Sequence, residues 1–116
     1  MYEGGGTSEQ IETIRAVHDY LTQHLDSRTT IDELSRMFLM NPSTMKALFK
    51  SVYGSSLASH VREHRMQHAA KLLLDGDENV AQVARAVGYE SQSKFSTEFH
   101  KAFGVLPTEY RKVQKR

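Results

Sequence analysis

Cysteine is missing altogether from the 116 residues, and no apolar run is long enough to span a bilayer. The first absence excludes a disulfide framework and any cysteine-ligated zinc, and suits a reducing interior. The second, with no secretory leader at the amino terminus, points to a soluble cytoplasmic protein with no membrane partner. Also missing are a glycine-rich phosphate loop, an HExxH pair and a nucleophile set in a recognisable turn, so no enzymatic activity and no cofactor are expected. A chain this short makes one small domain or two very small ones, with a modest core and no room for a large catalytic cavity.

Net charge is also scarce, at +1, but it is unevenly divided. Residues 1–40 hold three Lys and Arg against seven Asp and Glu, whereas residues 41–116 hold twelve against seven, together with four of the six histidines. Positive charge is thus concentrated in the later segments, as expected of a chain that meets phosphate there.

What the sequence does carry is helical periodicity, broken at regular places. Residues 1–7, with Gly4, Gly5 and Gly6, have no pattern and read as a flexible tail or a cloning remnant. Thr7 or Ser8 can cap a first helix whose inner stripe is Ile11, Ile14, Val17 or His18, Leu21 and Leu25. Thr30 and Glu33 make a capping-box pattern for a second helix, with Ile31, Leu34 and Phe38 inward. Asn41-Pro42 starts a third over about residues 42–52, with Met45, Leu48, Phe49 and Val52 inward and Gly54 as its stop. A longer helix over about residues 56–74 packs Leu57, Val61, Ala69, Leu72 and Leu73 and ends at Asp75-Gly76-Asp77.

The stretch 80–111 then reads as two short helices joined by a sharp turn. Asn79 caps a run in which Val80, Val83, Ala84 and Val87 recur at helical spacing, up to Gly88, which can take the positive φ of a tight turn. From Ser91 a second run sets Phe95, Phe99 and Ala102 on one face. Ser93, Thr97, His100 and Lys101 lie opposite, with Gln92 at the leading end, all able to hydrogen-bond base edges or phosphates. A last helix starts near Pro107, with Tyr110 inward and a basic end at Arg111, Lys112, Lys115 and Arg116.

This helix-turn-helix pattern occurs twice. Ile31, Leu34, Arg36 and Phe38 correspond to Val80, Val83, Arg85 and Val87; with one residue inserted in the later copy, Met45, Phe49 and Gly54 correspond to Phe95, Phe99 and Gly104. The expected fold is all-α, about seven helices in two helix-turn-helix subdomains, residues 8–55 and 76–116, joined by a linker helix over residues 56–75. A connecting helix of about 19 residues spans about 28 Å, near the roughly 34 Å between successive major grooves on one DNA face. Two reading helices on one chain imply an asymmetric target with sub-sites about 10 base pairs apart.

The segment GYESQSKFSTEFHKAFGVLPTEYR, residues 88–111, resembles the second-unit signature of the AraC/XylS family of bacterial transcription regulators. NPSTMKALFKSVYG, residues 41–54, and RMQHAAKLLL, residues 65–74, resemble that family's first reading helix and linker helix, so the resemblance covers about residues 11–111. It implies sequence-specific binding of double-stranded promoter DNA, as an activator in many members, with contact to RNA polymerase. Ser43, Thr44, Lys46 and Ala47 then take the base-facing positions of the first unit, and Gln92, Ser93, Ser96 and Thr97 those of the second. Lys50, Arg62, Lys94, His100 and Lys101 take phosphate-facing positions. Family members often carry a separate effector-sensing or dimerisation domain, which is expected to be missing from this chain. Three positions depart from the family pattern: Leu39 sits in the first turn where glycine is frequent, Ala47 stands where an arginine often reads guanine, and Leu106 replaces the hydroxyl residue that caps the last helix.

His60, His64 and His68 follow one another at i, i+4 and i+8 on the linker helix. Two such histidines are a known ligand pair, but three along a straight helix do not easily reach one ion, so the series reads as a partly exposed helix face and no metal is expected. The rival to DNA binding is a helical protein-interaction module, which would show an exposed apolar groove and little response to salt.

Overall fold

The computed structural model describes residues 6–114. Residues 1–5 of the expected tail, and Lys115 and Arg116 of the expected basic end, lie outside the described residues. The described residues form seven helices and no strand: α1 (Ser8–Gln23), α2 (Ile31–Phe38), α3 (Pro42–Tyr53), α4 (Leu57–Asp75), α5 (Val80–Ala86), α6 (Gln92–Phe103) and α7 (Pro107–Gln114). Among them no helix is long and apolar enough to cross a membrane. The chain divides into two compact units, one of Met1–His24 with Arg28–Val61, the other of Leu25–Ser27 with Arg62–Arg116, so the division falls inside α4.

Helix starts are set locally. Thr7, Thr30 and Asn79 each accept a hydrogen bond from the backbone N–H three residues on, while Gln10, Glu33 and Gln82 reach back to the cap residue's own N–H. Each box thereby satisfies two of the backbone donors that a helix start leaves without a partner. The Thr30 backbone N–H, donated to Glu33 at 2.9 Å, and then the Thr30 hydroxyl hold the Glu33 carboxyl below its ordinary range. Leu106 lacks a hydroxyl, but half of a box survives: its N–H donates to Glu109 Oε1 at 3.0 Å, and α7 begins at the next residue.

In the first unit the buried apolar residues are Ile14, Val17, Leu21, Leu34, Met40, Met45, Leu48, Phe49 and Val61. Met66, Ala69, Ala70, Leu73, Val80, Val83, Ala84, Val87, Tyr89, Phe95 and Phe99 make the core of the second, with Leu72 and Tyr110 packed against it. Several expected core positions differ: Ile11, Leu25, Ile31, Phe38, Val52 and Leu57 are only half-buried, and Ala102 is exposed. In the last turn of α6 the cover over Phe99 comes instead from Phe103, at 4.6 Å between ring centroids, and from Tyr110 of α7, edge-on at 5.3 Å.

The turn between the two helices of each unit uses a left-handed residue at matching positions. After α5 it is Gly88, φ 89°, and after α2 it is Leu39, φ 51°. The next residue closes each turn by the same bond, Met40 N–H to the Ser35 carbonyl at 3.1 Å and Tyr89 N–H to the Ala84 carbonyl at 2.8 Å. The left-handed backbone strains Leu39, standing where glycine is frequent, and a leucine there costs about 1–2 kcal/mol. Its side chain is 92% exposed, so burial returns nothing; the Ser35 hydroxyl, donated to the Met40 carbonyl, braces the turn from the side. Gly88 answers to a second constraint, because a Cβ there would lie 2.5 Å from the Leu25 carbonyl oxygen.

That carbonyl belongs to a motif not read from the sequence. Arg65, 8% exposed, donates Nε–H to the Leu25 carbonyl at 3.1 Å and an NH2 proton to the Ser27 carbonyl at 3.0 Å. Arg111 does the same for the end of α4, donating to the carbonyls of Leu73 at 3.0 Å and Gly76 at 3.4 Å. Carbonyls past a helix end have no helical partner, and a guanidinium matches both their geometry and the negative end of the dipole.

Two opposite effects on stability follow from the turns. Gly88→Ala is expected to lower the free energy of unfolding by at least about 2 kcal/mol, from the left-handed backbone and the Leu25 carbonyl together. Leu39→Gly is expected to raise it by up to about 1 kcal/mol, since strain is released and no buried surface is lost. Urea unfolding followed by circular dichroism measures both, and a stabilised alanine variant or a destabilised glycine variant would contradict this account of the turns.

Candidate nucleic-acid interface

Helices α3 and α6 are built alike. Each has twelve residues and ends at a glycine in the left-handed conformation, Gly54 at φ 79° and Gly104 at φ 78°. Asn41 caps α3 by accepting from Ser43 N–H at 2.9 Å and Thr44 N–H at 3.4 Å, and Ser91 caps α6 by accepting from Lys94 N–H at 3.2 Å. Both carry an inner pair four residues apart, Met45 with Phe49 and Phe95 with Phe99, and all four side chains are fully buried. Residues four apart share a face, so burying the pair fixes the rotation of each helix about its own axis.

The opposite face is thereby turned to solvent. On α3 it presents Ser43, Lys46, Ala47 and Lys50, all exposed. Thr44 is half-buried and lines an open cleft of about 490 Å3 with Glu9, Gln10 and Thr13 of α1. On α6 the exposed residues are Gln92, Ser93, Lys94, Thr97, His100 and Lys101, while Ser96 is half-buried. Each helix therefore brings its own candidates together within its own unit. The Thr97 hydroxyl donates to the Ser93 carbonyl at 3.1 Å, so outward it offers an acceptor oxygen and a methyl group rather than a donor.

Glu98 is a participant that the sequence reading passed over. Its side chain, 19% exposed, lies 3.7 Å from Arg62 Nε and 3.6 Å from Lys101 Nζ, so two of the candidate phosphate cations lean on one carboxylate. The signal was available in the i, i+3 spacing of Glu98 and Lys101. Exposed pairs of this kind contribute little stability, on the order of 0–1 kcal/mol; their effect here is on where positive charge points. The histidine series of α4 is uneven in burial: His60 and His64 are half-buried and His68 is exposed.

With this geometry in view, similarity to known proteins is informative. Residues 34–113 match the family model described as a helix-turn-helix domain. The chain is 34% identical over 94 residues to the probable transcriptional regulator LumQ of Photobacterium leiognathi, covering 81% of this chain and 38% of that protein. It is 34% identical over 92 residues to the HTH-type transcriptional regulator ExsA of Pseudomonas aeruginosa, covering 79% of this chain and 33% of that one. The chain thus spans little more than a third of the length of these relatives. Among solved structures it is similar to the C-terminal domain of AraT, a response regulator from Geobacillus stearothermophilus, with a TM-score of 0.83, 30% identity, and coverage of 87% of this chain and 84% of that one. The DNA-binding domain of AdpA, solved in complex with a target DNA, superposes with a TM-score of 0.81 at 25% identity over 86% of this chain and 90% of that one. These relatives are transcription regulators by name rather than enzymes. Matched over most of its length by the family model and sharing the doubled architecture of these domains, the chain belongs to the helix-turn-helix domain family, in its AraC/XylS-type form.

Proposed function

We propose that the chain is the DNA-binding part of a bacterial transcription regulator, with α3 and α6 as its reading helices and duplex promoter DNA as its ligand. The observation that carries this reading is the pair of outward faces: each is small, polar or basic along its length, on a helix whose other side is locked by a buried pair. A major groove admits a helix of that kind and offers it base edges between two rows of phosphates. In this reading Ser43, Thr44, Lys46, Ala47, Gln92, Ser93, Ser96 and Thr97 face bases. Lys50, Arg62, Lys94, His100 and Lys101 face phosphates.

The side chains differ in what they can read. Gln92 has both donor and acceptor and suits an adenine edge. Thr97, its proton committed to Ser93, suits an exocyclic amine or, through its methyl, thymine. Ala47 offers only a methyl contact, so the first helix relies on Lys46 and on DNA shape more than the second does. RNA polymerase is a further proposed partner, and the chain's share of its relatives' length leaves room in the whole regulator for an effector-sensing or dimerising domain.

Binding-site selection from a random duplex pool is expected to return a two-part site with sub-sites about 10 base pairs apart. Affinity should fall steeply with salt as counterions are released, whereas affinity for no duplex, or affinity indifferent to salt, would favour the protein-interaction alternative. Gln92→Ala should cost about 1–3 kcal/mol at one sub-site and relax the preference there, and Lys50→Ala should weaken every duplex alike while making the salt slope shallower by about 1. An equal loss on selected and random DNA for Gln92→Ala would remove its base-reading role. Glu98→Gln should strengthen binding to all duplexes, since Arg62 and Lys101 lose the carboxylate that competes with phosphate; an unchanged affinity in a gel-shift titration would show that competition to be negligible.

A further inference from the structure

Apolar side chains stand in solvent at one place in each unit. In the first, Leu39 is 92% exposed on a left-handed backbone that strains a leucine and would not strain a glycine. An outlier for which the fold itself has no use points to a use outside it. Leu39 and the half-buried Phe38 form the apolar part of the cleft beside α1, and the exposed Met37 precedes them. Glu9 is the one charged residue on the cleft wall. Its neighbours Gln10 and Asn41 are engaged in helix caps.

In the second unit the last helix leaves an apolar stripe. Leu106, just ahead of α7, and Tyr110 and Val113 within it fall at i, i+4 and i+7, which is one helix face. Tyr110 is half-buried against Phe99 and Phe103, whereas Leu106 and Val113 are 44% and 61% exposed. Phe103, 5.4 Å from Tyr110 and itself exposed, extends the row. Lys112 stands exposed beside Val113. Single apolar residues scattered over a surface need no explanation, but a contiguous row rimmed by charge marks a contact site.

The two patches are alike in polarity and opposite in charge. Helices α1 and α2 carry Glu9, Glu12, Asp19, Asp32 and Glu33 against Arg15 and Arg36, whereas α7 carries Arg111 and Lys112 against Glu109. Among the described residues neither Glu9 nor Lys112 takes part in an ion pair. We propose that the cleft at Leu39 is a docking site for a second copy of this chain, whose α7 enters it with Val113 against Leu39 and Phe38 and with Lys112 against Glu9. Different patches meet, so the contact is heterologous and runs head to tail from copy to copy. Charge selects this pairing, because two clefts brought together repel and so do two α7 ends. Covering Leu39 and Val113 removes from water the apolar surface that one chain alone leaves there.

Sedimentation equilibrium of the chain without DNA tests this apart from the proposed function. Self-association that grows with concentration and weakens with salt is expected, and a chain that stays monomeric up to its solubility limit overturns the proposal. Leu39→Gly, expected from the turn geometry to be the more stable fold, removes one half of the contact, and Val113→Gln removes the other. Each variant alone should associate at least about tenfold more weakly. An equimolar mixture of the two should form a one-to-one dimer, since each keeps the half that the other lacks. Undiminished association of either variant, or a mixture as monomeric as its parts, overturns the contact. The unaltered chain supplies a second readout by NMR: diluting an isotope-labelled sample should shift the amide resonances of Leu39 and Val113 together. A Leu39 resonance that does not move with concentration overturns the proposal whether or not the variants fold.

Discussion

A helix can offer DNA only what its buried side leaves facing outward, so everything proposed for α3 and α6 depends on how each is rotated in its unit. The rotation is set by two apolar side chains a turn apart, Met45 and Phe49 in one helix and Phe95 and Phe99 in the other, none of them exposed at all. Close packing tolerates no slippage at such positions. A shift of one residue would carry the helix round by about 100°, placing an aromatic ring in water and a lysine or serine in the core. Core and reading surface are thus two readings of one register.

The two units reach the same turn by different means. Gly88 meets the left-handed requirement without strain and lets the backbone approach the Leu25 carbonyl closely. Leu39 meets it against its own steric preference, held by bonds on either side of the turn. Correspondence between the copies runs at an offset of 49 residues up to Met40 and Tyr89 and at 50 from Asn41 and Ser91 onward, so Glu90 is the extra residue of the second turn. Repeated architecture here does not mean repeated solutions: the second copy has the unstrained turn and the aromatic core, and the first has a methionine and a serine brace.

Most of the helices were legible because their ends are written in local chemistry. Thr30 with Glu33, Asn41 before Pro42, Asn79 and Ser91 each act within three or four residues of themselves, and each was recognisable on that account. The outward positions on α3 and α6 followed from the inner pairs by helical period alone. What escaped depends on partners far along the chain. Arg65 reads as one more surface cation in an amphipathic stretch, and only the fold reveals the carbonyls of Leu25 and Ser27 against it. Tyr89 reads as part of a loop, yet it is buried against Phe95. The proximity of the His18 and His60 rings was likewise invisible, since periodicity says which face a residue occupies and nothing about which other face it meets.

The clasp made by Arg111 bears on the order in which the chain acquires its structure. A nascent polypeptide leaves the ribosome amino end first, and small units generally fold as they emerge. Everything the first unit packs is available once residue 61 is out. The second unit needs both an earlier fragment, Leu25–Ser27, and the Arg111 guanidinium, 35 residues beyond Gly76, to finish the end of α4. Of the two proposed reading helices, α3 therefore has its whole unit once residue 61 has emerged, whereas α6 gains its complete support only when Arg111 has emerged as well.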